Sequence, residues 1–267
     1  MTKKKPLILV TNDDGYQSKG IKSLVEGILG LGEVVVVAPD GPRSGMSSAI
    51  TAIHPIRYSL RRKDEEKELT VYTCTGTPVD CIKLGISEIL DRKPDLVVSG
   101  INHGLNSAIA VVYSGTMGAA IEGCIFGIPS IGFSVADHSP NANFEQSIKV
   151  VRAISAQVLR EGLPEGVCLN VNVPSMNMVK GIKVCAQTKG KWEKEFNKSK
   201  DGAGRDVYWL TGEFENAEPQ NEHSDEWALR NGYVSVVPVK IDMTAYETIP
   251  ALKEWEKLYS EQSTVLN

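Results

Sequence analysis

Two adjacent carboxylates, Asp13 and Asp14, follow the apolar run at residues 7–11. Neighbouring acids at the end of a buried strand repel each other and lose hydration, and a bound cation relieves both costs. A helix N-cap or an Asx turn is the simpler alternative, although one aspartate is enough for either. Ser44 and Asn102 follow other predicted strands and add a hydroxyl and an amide oxygen. This all-oxygen set favours Mg²⁺, Mn²⁺ or Ca²⁺ over zinc.

Two glycine-containing segments have the composition of anion sites. Residues 99–106 read SGINHGLN, whose glycines let backbone N–H groups approach a ligand and whose asparagines can fix it. Ser114, Gly115 and Thr116 open a predicted helix, where hydroxyls and free N–H groups occur together. Simple helix capping is the alternative for the second segment, since serine and threonine are ordinary N-caps. His103 is either a phosphate donor or acid, or a solvent-facing loop histidine. Together, a cation site and an anion site predict metal-assisted chemistry on a phosphate-bearing substrate.

Composition and missing motifs exclude several other classes of protein. Neither GxxxxGK[ST] nor a GxGxxG after the first strand occurs, so the usual nucleoside-triphosphate and dinucleotide loops are absent from the sequence. The 29 basic and 33 acidic residues give a net charge of −4, which argues against binding a nucleic acid polymer through a positive field. No apolar run approaches the ~20 residues of a membrane span. Five scattered cysteines without a CxxC pair suit reduced thiols in the cytoplasm.

Alternating strands and helices must position these residues. Strands are predicted at residues 7–11, 33–38, 71–74, 95–99, 129–134 and 167–173, and helices at 21–29, 77–90, 115–126 and 144–159. This alternation predicts an α/β fold with a doubly wound, mostly parallel sheet and helices on both faces. Ligands of such sheets bind at the carboxyl ends of the strands, so the polar loops should converge on one edge.

The sequence changes character near residue 180. Charged and acidic stretches alternate there with short β-like runs, and a last helix is predicted. The runs are at 182–187, 207–210 and 233–239, and the helix is around 250–259. We therefore predict one domain at 1–180 and a hairpin-containing extension at 181–267 that packs on it and makes subunit contacts. The charged segment 61–68 is predicted to be a solvated loop or hairpin tip.

Taken together, the motifs resemble those of the survival protein E (SurE) family of metal-dependent nucleotidases. The matching segments run in order from residue 8 to 244: ILVTNDDGYQSKGI, VVVVAPDGPRSGMSSAIT, TGTPVDCIKLGI, DLVVSGINHGLN, YSGTMGAAIEG, GIPSIGFS, NVNVP and GYVSVVPVKIDMT. The combination of NDDG, SGxNxGxN and YSGT is specific, whereas each alone is not. The resemblance therefore covers nearly the whole chain.

The resemblance implies a Rossmann-like catalytic domain and a C-terminal part that builds homodimers or homotetramers. It also implies hydrolysis of nucleoside 5′-monophosphates, often of 3′-monophosphates, and of short polyphosphate as a side substrate. One divalent cation per subunit, Mg²⁺ or Mn²⁺, would serve as cofactor, with Ca²⁺ able to replace it in crystals. Neither a membrane nor a nucleic acid polymer is an expected partner.

Carried over by motif, the resemblance assigns residues to two groups. The metal ligands would be Asp13, Asp14, Ser44 and Asn102, of which Asp13, Asp14 and Asn102 also serve catalysis. The phosphate pocket would be lined by Asn12, Gly45, Ser47, Asn106, Ser114, Gly115 and Thr116. One departure lies in the C-terminal SVTPL element, where Val237 replaces a hydroxyl-bearing residue. Any polar role for that position is therefore in question.

The expected mechanism is in-line attack of water on a phosphoryl group held by the cation. A rival class forms an aspartyl-phosphate, using an aspartate two residues before a second one. Here Asn12 stands two residues before Asp14, and Gly15 two after Asp13, so that spacing is missing. A non-catalytic nucleotide-binding module is the other alternative, distinguished by binding without phosphate release.

Overall fold

The computed structural model describes residues 4–139, 141–176 and 178–258. The strands are β1 (Leu7–Thr11), β2 (Glu33–Pro39), β3 (Tyr58–Asp64), β4 (Leu69–Cys74), β5 (Leu96–His103), β6 (Ser130–Val135), β7 (Val167–Val173), β8 (Ile182–Val184), β9 (Gly190–Glu193), β10 (Phe196–Lys200), β11 (Asp206–Leu210), β12 (Glu213–Asn216) and β13 (Val234–Lys240). The helices are α1 (Lys19–Ile28), α2 (Pro78–Leu84), α3 (Gly115–Ile125), α4 (Glu145–Glu161), α5 (Asp225–Arg230) and α6 (Ile249–Leu252).

A nine-stranded sheet forms the centre of the molecule, in the order β3-β4-β2-β1-β5-β6-β7-β13-β8. The pairs from β4 to β7 are parallel, whereas β3 and β13 run antiparallel to β4 and β7. Every residue of β1 is buried, because β1 lies between β2 and β5 and under helices. The predicted doubly wound, mostly parallel α/β sheet is confirmed.

Helices cover both faces of this sheet. On one face α1 and α4 pack together, and Leu24 and Val151 join a core with Val10 and Val98. On the other face α2 and α3 pack together, and Ile82 and other residues join a core with Leu9 and Val37. The fold therefore has three layers, with the carboxyl ends of the parallel strands at one edge. No helix in the described ranges is long and apolar enough to cross a bilayer.

The structure corrects three predicted boundaries of the N-terminal part. Of the segment 61–68, which is predicted to be a solvated loop or hairpin tip, residues 65–68 form the tip of the β3–β4 hairpin, whereas residues 61–64 belong to β3, which pairs antiparallel with β4. The helix predicted at 77–90 ends as an α-helix at Leu84 and continues as a π-helical turn, Gly85–Ile89. Strand β5 extends to His103, four residues beyond its predicted end at residue 99, and the other boundaries predicted for the N-terminal part differ by at most two residues from those observed.

The part after residue 180 contributes to the central sheet as well as to hairpins. β13 and β8 extend that sheet, while β10 pairs with β11 and β9 with β12 in two small antiparallel sheets. The last helix begins at Ile249 as a short α-helix and continues as the 3₁₀ turn Lys253–Glu256, and residue 259 lies outside the described residues. The division of the chain at residue 180 stays a prediction.

Candidate active site

The predicted site residues lie at the carboxyl end of β1 and at the loops beside it. Asp13 and Asp14 follow β1 directly. The loop after β2 is tied to them, because the Arg43 N–H donates to the Asp13 carbonyl at 2.7 Å. The N terminus of α3 closes the same place, since a Cβ added to Gly115 would lie 3.0 Å from the Asp13 Cβ. A side chain at this position would require Asp13 to shift by a few tenths of an ångström, so glycine suits this close approach.

Asp13 is a buried carboxylate with a single strong hydrogen bond. Its side chain is 4% exposed, and its Oδ1 accepts from the Thr116 hydroxyl at 2.6 Å. Burial raises its pKa from the ordinary 3.8 to about 6, the Thr116 hydrogen bond acts against this rise, and the Asp14 charge adds to it. A positive charge beside Asp13 would lower that pKa again.

Asp14 is half-buried and shares its surroundings with the loop after β5. Burial raises its pKa, while the charge and the backbone N–H of His103 act in the opposite direction. Its Oδ2 is buried without a hydrogen-bond partner, as is the Oδ1 of the fully buried Asn12. Asn12 is held through its amide nitrogen, which donates to the Gly15 carbonyl and to the Ser18 hydroxyl. Two buried oxygens are thus available to a ligand.

The other two predicted metal ligands come from separate loops. Asn102 lies in β5 just after a register shift against β6, and its amide nitrogen donates to the Gly104 carbonyl at 2.9 Å. This leaves its carbonyl oxygen as the atom that can face a cation. Ser44 is exposed and directly follows Arg43, the residue bonded to the Asp13 carbonyl.

These residues fit a hard divalent cation. Two carboxylates with raised pKa and two unpartnered buried oxygens gain from a nearby positive charge. Throughout the described residues, no cluster of three or more His, Cys, Asp and Glu side chains is found. The predicted set contains only two carboxylates, and its remaining ligands are a hydroxyl and an amide, which suits Mg²⁺ or Mn²⁺.

The N terminus of α3 lies against the loop after β2. Ser114 caps the helix by accepting from the Met117 N–H at 3.1 Å, and the first N–H groups of a helix have no partner within it. The Ser47 hydroxyl donates to the Val112 carbonyl at 2.6 Å. A Cβ on Gly118 would lie 2.3 Å from the Ser47 carbonyl oxygen, so loop and helix are in contact. Gly45 adopts φ +71°, a left-handed conformation.

Asn106 is fixed by a buried amide network that motif reasoning missed. Its backbone N–H donates to Asn172 Oδ1 and its side-chain amide to the Ser134 hydroxyl, both at 2.8 Å. Asn170 donates to the Asn106 carbonyl, also at 2.8 Å. Alternating asparagines within the apolar strand β7 were the available signal, because buried amides need partners.

Asp225 is a second residue that sequence reasoning missed. It is fully buried at the start of α5 and accepts from the Ala108 N–H at 2.8 Å and from the Thr188 N–H at 3.0 Å. Ala108 has φ +50°, a conformation that is costly for a residue with a Cβ. Asp225 therefore stabilises the turn that follows Asn106. It lies in an acidic stretch, where no local pattern separates a buried carboxylate from solvated ones.

A family model described as "Survival protein SurE" matches residues 8–194, which is more than half of the chain. The chain belongs to the SurE family. A protein of Bacteroides fragilis named "5'-nucleotidase SurE" is 55% identical over 96% of this chain and 100% of its own length. One of Phocaeicola vulgatus with the same name is 53% identical over 96% of this chain and 98% of its own.

The fold of this SurE chain is also that of a solved relative. The crystal structure of the SurE protein from Aquifex aeolicus matches with a TM-score of 0.81 and 43% sequence identity, covering 94% of this chain and 100% of that one. The family predicted from the motifs is thus confirmed. The individual roles of the predicted metal ligands and phosphate-binding residues stay predictions.

Proposed function

We propose that this SurE chain is a divalent-cation-dependent phosphomonoesterase that hydrolyses nucleoside 5′-monophosphates to nucleoside and phosphate. The observation that carries the proposal is the pair formed by buried Asp13 and half-buried Asp14, of which Asp13 lies directly against the N terminus of α3. A cation site and an anion site in contact are what a phosphoryl group requires. The relatives named 5'-nucleotidase SurE support the same reaction.

In this proposal Asp13, Asp14, Ser44 and Asn102 hold one divalent cation per subunit, Mg²⁺ or Mn²⁺. When bound, the cation supplies Lewis acidity toward the phosphoryl group. Asp13 is oriented by Thr116, whereas the unpartnered Oδ2 of Asp14 is free to orient the attacking water. Asp14 is therefore the carboxylate that we assign to this second task.

The phosphoryl oxygens are bound by neutral donors. The backbone N–H groups of Gly115 and Thr116 belong to the first turn of α3, where the helix dipole favours negative charge. Asn106 is held rigidly by its amide network, so its position requires no reorganisation during the reaction. Asn12, Gly45, Ser47 and Ser114 shape the same pocket.

Phosphate release from AMP tests the proposal. We expect turnover with Mn²⁺ or Mg²⁺ and none with EDTA, and a loss of at least a hundredfold in Asp13→Asn and Asp14→Asn. Asp91→Asn is the matched control, since Asp91 is exposed and lies outside these loops. Near-normal activity of Asp13→Asn across both metal titrations would refute the assignment. Assays with 3′-AMP and tripolyphosphate test the additional proposal that both are side substrates.

Two further measurements separate the alternatives. A borohydride-sensitive aspartyl adduct would show the aspartyl-phosphate mechanism. AMP binding without phosphate release under any metal condition would show a nucleotide-binding module.

We also propose that the chain forms homodimers or homotetramers through its C-terminal segment. Residues 243–258 expose several large apolar side chains to solvent: Met243, Tyr246, Ile249, Leu252, Trp255 and Leu258. Apolar patches of this kind mark interaction surfaces. Light scattering should give a multiple of the subunit mass for the full chain and a smaller mass after truncation at residue 242. An unchanged mass would contradict the proposal.

A cytoplasmic location completes the proposal. All five cysteines are free and buried, which suits a reducing compartment.

A further inference from the structure

A cavity of about 830 Å³ lies beside the proposed phosphate pocket. Its walls come from the 3₁₀ turn Ala108–Val112, from α3 and from the end of β13. Ser47 and Ser114, both predicted to line the phosphate pocket, also line this cavity. A ligand bound at the N terminus of α3 could therefore extend into it without crossing the protein.

The lining suits a group that is largely apolar and carries a few polar atoms. Aliphatic side chains predominate and include Val111, Val112, Ile121, Val239 and Met243. The polar residues of the lining are Gln187, Lys240 and three serines, Ser47, Ser48 and Ser114. A volume of this size is within the range of small-molecule sites, and apolar walls with a few polar groups are typical of them.

A second cavity, of about 520 Å³, lies between α1 and the β3–β4 hairpin. It reaches Tyr16, near the end of the metal loop, and has Lys22 and Arg61 at its rim. None of the predicted metal or phosphate residues lines it. Of these two cavities, the larger is the one that shares residues, Ser47 and Ser114, with the proposed phosphate pocket.

We propose that the 830 Å³ cavity is the nucleoside-binding subsite, in which Val112 contacts the base and Gln187 hydrogen-bonds to its edge. Val112 is 53% exposed and precedes the α3 N terminus by two residues, so its side chain is available to a ligand. Gln187 carries both donors and an acceptor, and within the described residues its side chain makes no hydrogen bond. This inference rests on the proposed function, because the phosphate pocket sets where the nucleoside begins.

The test compares AMP with methyl phosphate, which occupies only the phosphate pocket. In the wild type we expect kcat/KM at least tenfold higher for AMP. Val112→Trp fills the cavity, so KM for AMP should rise at least tenfold, while methyl phosphate hydrolysis stays within twofold and shows that the variant is folded. Ile125→Trp is the matched control, since Ile125 is 58% exposed at the end of α3, the helix that follows Val112, but does not line the cavity.

Adenosine binding, measured by calorimetry, gives a readout that is independent of turnover. We expect wild type and Ile125→Trp to bind adenosine equally and Val112→Trp to bind it at least tenfold more weakly. Equal adenosine binding by all three proteins, or equal loss of both substrates in Val112→Trp, would overturn the subsite. If no phosphomonoester is hydrolysed but adenosine binding responds to Val112→Trp, the proposed reaction fails and the subsite stands.

Gln187→Ala tests whether Gln187 discriminates between bases. In the wild type we expect kcat/KM to differ severalfold among AMP, GMP, CMP and UMP, and in the variant we expect these differences to shrink to within twofold. Unchanged ratios in Gln187→Ala, or equal values for all four substrates in the wild type, would remove Gln187 from the proposal.

Discussion

Replacing Asp13 with asparagine should stabilise the protein in EDTA at pH 7, although the same change should abolish turnover. Burial raises the pKa of Asp13 to about 6, so the folded protein must keep a carboxylate ionised where ionisation is unfavourable. Asparagine has nearly the same shape and removes the charge. Its Oδ1 can still accept the Thr116 hydroxyl proton that Asp13 Oδ1 accepts at 2.6 Å.

The size of the effect follows from the pKa. A rise from 3.8 to about 6 is about two pKa units, and each unit corresponds to about 1.4 kcal/mol. Asp13 is 4% exposed, so solvent screens little of this. We therefore expect Asp13→Asn to increase the free energy of unfolding by about 2 to 3 kcal/mol. For a chain of this size that corresponds to a rise in Tm of roughly 5 to 10 °C.

The stability advantage of Asp13→Asn over the wild type must increase with pH. The pKa of Asp13 is higher in the folded state, so protonation favours folding, and the wild type loses stability as pH rises from 3.8 through about 6. The advantage of Asp13→Asn should be absent below pH 4, grow between pH 4 and pH 6, and stay constant above that. Urea unfolding in EDTA at several pH values measures it.

With saturating Mn²⁺ in place of EDTA, we expect the wild type to be more stable than Asp13→Asn. A cation held at the proposed site would bind the folded wild type and stabilise it by mass action, whereas the variant would gain little. Asp225→Asn is the control, because this fully buried carboxylate accepts several N–H and hydroxyl hydrogen bonds, and its variant should be less stable at pH 7. The reasoning is refuted if Asp13→Asn is less stable than the wild type in EDTA at pH 7, or if its advantage is the same at pH 4.

Three further outcomes follow from the same contacts. Thr116→Val removes the hydrogen bond that lowers the pKa of Asp13, so Mn²⁺ affinity measured by calorimetry should fall about tenfold, whereas Thr116→Ser should retain it. Asn172→Ala leaves the Asn106 N–H unpaired, so urea unfolding should show a loss of about 1 to 3 kcal/mol and the KM for AMP should rise. Gly115→Ala places a Cβ 3.0 Å from the Asp13 Cβ, and Mn²⁺ binding should weaken while the circular dichroism spectrum stays unchanged.

Burial decides which elements could be predicted from the sequence. β1 is buried along its full length, so it appears as a continuous apolar run, and its boundaries were predicted to the residue. β3 is exposed at most positions and reads as a charged loop, because it is held by pairing with β4 and not by apolar side chains. The same holds for β9 and β10, whose residues are largely exposed and form hairpins.

Some residues of the site could be placed from local sequence, whereas others are brought there by contacts between distant parts of the chain. Asp13, Asp14 and Ser114 follow strands or begin a helix, so local sequence is enough to place them at the edge of the sheet. Asn172 contacts Asn106 from 66 positions away, and Asp225 contacts Ala108 from 117 positions away. Residues so far apart cannot lie on one helix or strand, so periodicity in the sequence does not reveal these contacts and only the folded chain shows them.

The contact between Asp225 and Ala108 links the part after residue 180 to the proposed chemistry directly. The Ser107 hydroxyl donates to Glu226 at 2.5 Å, so two consecutive residues of the turn after Asn106 are held by α5. This turn continues through the 3₁₀ segment Ala108–Val112 to Ser114, the cap of α3. The segment that holds α3 therefore depends on residues that supply no ligand to the cation. Removal of residues 181–258 would leave the Ser107 hydroxyl and the Ala108 N–H without these partners even in a monomer, so this part supports the proposed site independently of subunit assembly.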